Sequence, residues 1–207
     1  MVGAMSIDWI ALRYELGRWA AYRRINHPSM SLYVWVLPLL LSVPVTLLWA
    51  LLPIKPSLVA TSGGLLASIL IVVATLPGFY IAALAAVATF DRPEMDEAMP
   101  DPCPTIPVLR SGRWIDAELT RRSFLTYLFS YLSIMSILVA VLCVGGQLVG
   151  PYLVAILKSV TNVAMRQHMS WYIGLSYMSV LLYLCASIAV STLHGIYFIS
   201  ERMHQPH

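Results

Sequence analysis

The sequence predicts an all-α integral membrane protein with four transmembrane helices, both termini in the cytosol, and additional amphipathic interfacial helices. Hydrophobic residues make up 59% of the 207 residues and charged residues only 11%, against about a quarter in typical soluble domains. The charges are clustered, so that four segments carry none: 25–54, 56–90, 123–157 and 167–200. Each of these segments exceeds the ~20 residues that an α-helix needs to cross the hydrocarbon core of a bilayer.

Four spans are predicted inside these segments, at 32–53, 61–89, 123–149 and 171–199. The run LLASILIVVATL in the second span shows no alternation of apolar and polar residues, which excludes the strands of a membrane β-barrel. Pro38 and Pro44 predict kinks in the first span, and Pro77–Gly78 predicts a break in the second, either a fixed kink or a hinge. The short connection LPIKPS predicts that the first two spans form a tight hairpin.

The basic residues predict how the chain is oriented. Ten of the 13 Lys and Arg residues lie before the first span, between the second and third spans, or after the fourth. All ten acidic residues lie on that same side. Because basic residues concentrate on the cytoplasmic side of membrane proteins, both termini and the loop between spans two and three are predicted to be cytoplasmic. The net charge of +3 reflects this orientation, and no direct nucleic-acid binding is expected.

The chain is therefore expected to divide into five parts. They are a cytoplasmic amphipathic N-terminal helix (1–30), a first transmembrane hairpin (31–90), a cytoplasmic acidic and proline-rich loop (91–122), a second transmembrane hairpin (123–200) that includes an external amphipathic segment (150–170), and a cytoplasmic tail (201–207).

The N-terminal helix is predicted to lie on the inner leaflet of the membrane. Its apolar and aromatic residues recur at steps of three and four, which places them on one face. Trp at headgroup level and Arg toward anionic lipid are typical of such helices. The side chains expected at the bilayer surface are Trp9, Arg18, Trp19, Arg23 and Arg24. The alternative is that this helix docks a soluble partner.

The external segment 150–170 is predicted to form a second interfacial helix. Leu153, Ile156 and Leu157 fall on one side of a helix drawn through it, with Lys158 and Arg166 largely opposite. It is the only sizeable element expected on the outer surface, and therefore the element that could sense an external signal.

Small residues recur along the third and fourth spans. Such rows let helix backbones approach closely, within one chain or between copies. They predict helix packing and a homo-oligomer, for example a tetramer, whereas a hydroxyl-lined pore is the alternative. The residues are Ser130, Ser133 and Ser136 in the third span and Ser187, Ser191 and Gly195 in the fourth.

The loop between spans two and three begins with FDRPEMDEAMPDPCPTIP, which is rich in carboxylates and prolines. Prolines hold a chain extended, as in recognition arms and spacers, so the acidic half is either a docking arm for a soluble partner or a solvated linker. The basic half leads into the third span, for which Asp116 is predicted as N-cap. The expected partner-binding residues are Asp91, Glu94, Asp96, Glu97 and Asp101, followed by Arg110, Arg113 and Trp114.

Features of catalysis are sparse. The four spans contain no ionisable residue except His194, which is expected at a helix end, whereas membrane enzymes and proton-coupled transporters usually carry such residues within their spans. The sequence contains no HExxH, GxSxG, glycine-rich phosphate loop or CxxC motif. The acidic cluster lacks the glycine that a Ca²⁺ or Mg²⁺ loop needs for its turn. No cofactor, metal or catalytic residue is predicted.

The third span opens with LTRRSFLTYLFSYLSIMSIL. With the four-span architecture and the length of the chain, this entry resembles the KwaA family, the small membrane components of the bacterial Kiwa anti-phage defence system. The resemblance implies an oligomeric inner-membrane sensor that holds a DNA-binding effector of the KwaB type on its cytoplasmic side. It also implies that the outer surface responds to phage attachment.

We therefore predict a non-catalytic inner-membrane sensor or anchor subunit that oligomerises and recruits a soluble cytoplasmic effector. The alternative is an oligomeric pore-forming effector that permeabilises the inner membrane, with spans three and four lining a hydroxyl-rich path. A membrane enzyme is a third reading, and it would require the carboxylates of residues 91–101 to bind a divalent cation.

Overall fold

The computed structural model describes residues 17–51, 64–89, 91–99, 102–110, 113–159 and 162–202. It confirms that the chain is mostly helical and has four helices long and apolar enough to cross a membrane. The elements are helices α1 (Leu37–Leu51), α2 (Leu65–Val73), α3 (Leu76–Thr89), α4 (Arg121–Lys158) and α5 (Val163–Tyr197) and strands β1 (Thr105–Arg110) and β2 (Arg113–Glu118). Short 3-10 helices cover Arg18–Arg24 and Pro93–Met95, and π-helical turns cover Leu32–Val36 and Phe198–Arg202.

Prolines shape the first two spans. A π-helical turn precedes Pro38, and the N–H of Leu37 bonds there to the carbonyl of Leu32. In the second span, α2 ends at Val73 and α3 begins at Leu76. The break falls where the ring of Pro77 would collide with the carbonyl four residues earlier, that of Val73. The interruption predicted from Pro77–Gly78 is therefore present.

The spans are arranged around one central pair of helices. Helices α4 and α5 pack against each other, α1 packs against α5, and α2 and α3 pack against α4. The first two spans are therefore not each other's main packing partners among the described residues, which differs from the tight hairpin predicted from their short connection. Small residues let α5 approach α4 closely, and the first two spans cover the outer sides of that pair.

The segment 150–170, which is predicted to be external, is not one helix. Helix α4 continues to Lys158 and α5 begins at Val163, so the described residues of this segment belong to the ends of two helices. Asn162 caps α5 by accepting a hydrogen bond from the N–H of Met165 at 3.2 Å. The segment thus contains two separate helix ends, in contrast to the continuous interfacial helix that the amphipathic pattern predicts. We call these two helix ends the far end of the protein. The opposite end, where strands β1 and β2 lie, is called the hairpin end.

A close approach between α4 and α5 yields a first prediction. The hydroxyl of Tyr177 donates a hydrogen bond of 2.6 Å to the carbonyl of Leu142, and a Cβ at Gly146 would collide with that hydroxyl. Gly146→Ala is therefore expected to lower the free energy of unfolding in detergent by about 1–3 kcal/mol, the usual cost of overpacking. Gly145→Ala is the matched control, because a Cβ there meets nothing within 4 Å. Equal stability of the two variants would contradict the prediction.

Candidate functional site

The segment 91–120 folds against the ends of the helices. Met95 and Met99 are only 2% and 9% exposed and belong to the hydrophobic core. The N–H of Met99 bonds to the carbonyl of Leu119 at 3.1 Å. The prolines of this segment thus do not make it a plain extended spacer, because its methionines anchor it in the core.

The basic half of the segment forms a β-hairpin. Strands β1 and β2 pair antiparallel in a register that sets Arg110 opposite Arg113 and Thr105 opposite Glu118. At its start, β1 also pairs with the N-terminal segment, because Asn26 and Thr105 exchange backbone hydrogen bonds of 2.8 and 3.3 Å. Ile106 is buried in the core, so one face of the hairpin is fixed to the body of the protein.

Arg122 joins the acidic half of the segment to two helices. Its Nε and one terminal nitrogen donate to the two carboxylate oxygens of Asp96 at 2.7 and 3.0 Å. Its other terminal nitrogen donates to the carbonyls of Val87 and Ala88, in the last turn of α3, at 3.3 and 3.4 Å. A bidentate pair of this kind fixes geometry as well as charge. Asp96, predicted as a docking residue, therefore has a structural role inside the chain.

Arg121 lies deeper than its neighbour. It is buried, and one of its terminal nitrogens donates to the carbonyl of Glu94 at 3.5 Å. Its own N–H bonds to the carbonyl of Glu97 at 3.4 Å. Both arginines at the start of α4 thus hold the acidic half in place, beyond the membrane-anchoring role that the positive-inside rule gives them.

The N-cap of α4 differs from the predicted one. Thr120 occupies this position, and its hydroxyl oxygen accepts a hydrogen bond from the N–H of Ser123 at 3.2 Å. Asp116 lies within β2 instead. The prediction of Asp116 as cap was wrong because the strand continues to Glu118, which moves the start of the helix downstream.

The predicted docking residues are dispersed over this surface. Asp91, Glu94 and Glu97 are exposed, as are Arg113 and Trp114 at the tip of β2. Trp114 is 60% exposed and the adjacent Ile115 is 50% exposed. Arg110 ends β1, but the structure does not describe its side chain, and Asp101 lies outside the described residues. Exposed aromatic and aliphatic side chains beside charged ones are typical of protein-binding surfaces.

An aromatic cluster at the hairpin end was not predicted from the sequence. Tyr22 is completely buried, and its hydroxyl lies 3.0 Å from Nδ1 of His194. Its ring stacks on Tyr131 at 5.3 Å between centroids, and Tyr33 stacks on the imidazole of His194 at 4.2 Å. Burial raises the pKa of Tyr22 well above its ordinary value, so the phenol stays neutral. His194 is thus a packed helix-end residue, and the cluster joins the N-terminal segment to α4 and α5.

Part of the N-terminal segment packs into the bundle. The guanidinium of Arg23 lies 4.0 Å from the ring centroid of Trp35 and donates to the hydroxyl of Tyr183 at 3.1 Å. Arg24 is exposed. The side chains of Arg18 and Trp19 are not described, and Trp9 lies outside the described residues. A surface position for Arg18, Trp19 and Trp9 stays a prediction, whereas Arg23 contacts two spans.

The small residues of the third and fourth spans lie mostly inside the chain. Ser187 is buried with its Oγ 3.1 Å from the hydroxyl of Tyr131, and a Cβ on Gly195 would lie 2.7 Å from Cδ2 of Leu128. These residues therefore face α4 within one copy of the chain. The other members are the buried Ser133, Ser136 and Ser191 and the half-buried Ser130.

A cavity of about 80 Å³ lies between the 91–120 segment and the helix ends, with His27, Tyr33, Phe124 and His194 among its lining residues. Ligand pockets usually measure about 300–1,000 Å³, so this cavity has room for a few waters. Within the described ranges, no group of three or more His, Cys, Asp or Glu could hold a metal ion.

No family model matches the chain, and neither a curated protein nor a solved structure matches it.

Proposed function

We propose that this chain is a non-catalytic inner-membrane sensor or anchor subunit that recruits a soluble cytoplasmic effector. The observation that carries the proposal is the hairpin β1–β2, which is fixed to the body of the protein through the buried Ile106 and exposes Arg113, Trp114 and Ile115 at the start of β2. A binding surface held by rigid elements loses less entropy when it docks a partner than a flexible arm does.

The cytoplasmic position of the hairpin is part of the proposal. It rests on the ten basic residues that flank the spans on this side, against three on the other. Two of the ten, Arg121 and Arg122, lie where α4 begins and contact the acidic segment. Acidic side chains exposed beside the anionic inner leaflet are repelled by it, which favours their pointing into the cytosol toward a partner.

The attachment of the hairpin supports a role as a docking platform. Met95 and Met99 bury apolar surface, and Arg122 forms four hydrogen bonds to Asp96 and to the end of α3. Full burial of a methionine side chain stabilises the attachment by about 1.5–3 kcal/mol. The ion pair of Arg122 with Asp96 contributes less, because it is partly exposed and solvent screens it. Packing of the methionines, more than charge, therefore keeps the platform in one position.

The contacts of three serines weigh against the pore alternative. Ser133 and Ser136 donate to carbonyls of their own helix at 2.9 and 2.8 Å, and Ser187 pairs with Tyr131. Hydroxyls that are buried and hydrogen-bonded inside one chain do not line a water-filled path. Oligomerisation remains part of the proposal, through lipid-facing surfaces other than these serines.

The biological setting that we propose is anti-phage defence of the Kiwa type. The architecture, the chain length and the basic-to-aromatic entry into α4 support it. In that setting the soluble partner is a DNA-binding effector of the KwaB kind, and the far end faces the outside, where phage attach.

The proposal is tested by purifying the tagged full chain from its native cells in mild detergent and identifying what accompanies it. A stoichiometric soluble protein is expected, and the double substitution Trp114→Ala, Ile115→Ser should reduce its recovery about tenfold or more, as loss of an apolar anchor at an interface does. The exposed, lipid-facing Tyr172→Ala is the control. Asp96 is left intact because its loss would disturb the platform itself. Recovery of the chain alone would overturn the proposal.

A further inference from the structure

We infer that the outer edge of β2 is a docking edge for a basic β-strand of the partner. This inference rests on the proposed function and names the chemistry that the partner must carry. Its basis is the set of backbone groups that β2 directs away from β1, together with two carboxylates, those of Asp116 and Glu118. The docking prediction does not include these carboxylates, and the ion pair found among the described residues does not involve them.

The register shows which backbone groups point outward. In an antiparallel pair, opposed residues alternate between those that exchange hydrogen bonds and those whose N–H and C=O point away from the partner strand. Thr105 bonds to Asn26 on the outer side of β1, so the pair Thr105–Glu118 is of the second kind. Pro107, which has no N–H, lies opposite Asp116 two residues further on and is tolerated there for the same reason.

It follows that Asp116 and Glu118 direct their backbone N–H and C=O to the outer edge of β2. In the part of the chain that the structure describes, the sheet consists of β1 and β2 alone, and no third strand pairs with the outer edge of β2. Unpaired edges of this kind accept an added strand, and the main-chain hydrogen bonds then supply affinity. Natural proteins usually shield such edges, so an accessible one on a fixed hairpin indicates a binding role.

The side chains define what the added strand must be. Alternation places Asp116 and Glu118 on one face of the hairpin, opposite to the face on which Ile106 packs into the core. Both are exposed, and neither forms an ion pair within the described residues. Opposite charges across a strand pair are stabilising and like charges are destabilising. The edge therefore favours a strand with Lys or Arg at two alternate positions.

The same charges argue against a second copy of this chain as the occupant. Outward-facing residues can only be opposed by outward-facing residues in an antiparallel pair. Self-pairing of β2 has two registers with the greatest overlap. One sets Asp116 opposite the Asp116 of the other copy, and the other sets Asp116 opposite Trp114. Neither register sets a Lys or Arg opposite Asp116 or Glu118, as a basic partner strand does.

The test uses the full chain in phosphatidylcholine nanodiscs, which carry no anionic lipid, and a labelled peptide of sequence TVKVKVT as the probe. We expect the peptide to bind, and TVEVEVT to bind about tenfold more weakly, since two favourable charge pairs become repulsive. Glu118→Gln should weaken binding of the basic peptide a few-fold. Glu118→Pro should weaken it about tenfold, because proline also removes the outward N–H while leaving the β1–β2 ladder intact. Lys158→Gln, which changes one charge at an exposed position at the far end, is the control and should have no effect.

The outcomes separate this inference from the proposed function. Equal binding of both peptides, or equal affinity of the Glu118→Gln and Glu118→Pro variants, overturns the docking edge. A change of oligomeric state on Glu118→Pro would assign the edge to a second copy and overturns the inference as well. If a soluble partner co-purifies and Glu118→Pro leaves its recovery unchanged, the proposed function stands and the edge does not. If the peptide discriminates and no partner co-purifies, the proposed function fails alone.

Discussion

Tyr22→Ala is expected to lower the free energy of unfolding by about 3–5 kcal/mol, the range for truncating a fully buried aromatic side chain. Tyr22 is 0% exposed, stacks on Tyr131 and also contacts Phe124 at 6.1 Å between ring centroids. Truncation leaves a cavity among these rings and removes the hydroxyl that pairs with His194. The effect should be large even though Tyr22 precedes the first span. Chemical denaturation of the full chain in detergent micelles measures it.

Two further variants make this result specific. Tyr22→Phe keeps the ring and loses only the hydrogen bond, so about 1 kcal/mol is expected. Tyr172→Ala removes a tyrosine that is exposed on α5 and should change stability by about 0.5 kcal/mol or less. Hydrogen exchange of residues 18–26 should rise in Tyr22→Ala, because this side chain holds that segment against α4. A loss of stability no greater than that of Tyr172→Ala would show that the N-terminal segment contributes little to the fold.

The four spans could be predicted from the sequence because the hydrophobic driving force acts on composition alone. A charge-free segment longer than the bilayer core is sufficient to identify a span, and the four predicted spans overlap the four observed helices. The break at Pro77 could also be predicted from the sequence, because the clash of a proline ring with the carbonyl four residues earlier is a local effect. The packing partners of each helix could not be predicted, because both lipid-facing and helix-facing surfaces of a span are apolar. Hydropathy therefore does not indicate which helices are neighbours.

The sequence does contain a signal for the β-hairpin, although the prolines and charges of this loop favour an extended arm. Two six-residue runs, TIPVLR and RWIDAE, are separated by the dipeptide Ser-Gly, a turn-forming pair between runs with β-branched and aromatic residues. Pro107 argues against a central strand but is compatible with an edge or with an outward-facing position. Weighing the turn signal would have predicted the strands and moved the start of α4 past Asp116.

The candidate site could be predicted only in part. Exposure of Asp91 and Glu94 follows from their charge, whereas the pairing of Asp96 with Arg122 joins residues 26 positions apart and no local pattern indicates it. The contact of Tyr22 with His194 spans 172 positions. Such contacts are set by tertiary packing, so a single sequence contains no periodicity that reveals them.

Ser187→Leu is expected to lower the free energy of unfolding by about 3 kcal/mol, because the small residues of α5 pack against α4 inside one copy of the chain. Ser187 is buried against α4 and pairs with the hydroxyl of Tyr131 at 3.1 Å. A leucine there overpacks the contact, which typically costs about 1–3 kcal/mol, and leaves a buried tyrosine hydroxyl without this partner, which costs about 1–3 kcal/mol more. Ser176→Leu, at an exposed position of the same helix, is the matched control and should be nearly neutral.

The measurement must separate packing within a chain from packing between copies. Unfolding in detergent should show the loss for Ser187→Leu at any protein concentration, because an intrachain contact does not depend on it, whereas stability that comes from association rises with concentration. Light scattering should show the same particle mass for Ser187→Leu and Ser176→Leu. A smaller particle for Ser187→Leu with unchanged unfolding of the single chain would instead place this serine between copies. It would also restore the serine rows of α4 and α5 as candidates for the wall of an oligomeric pore.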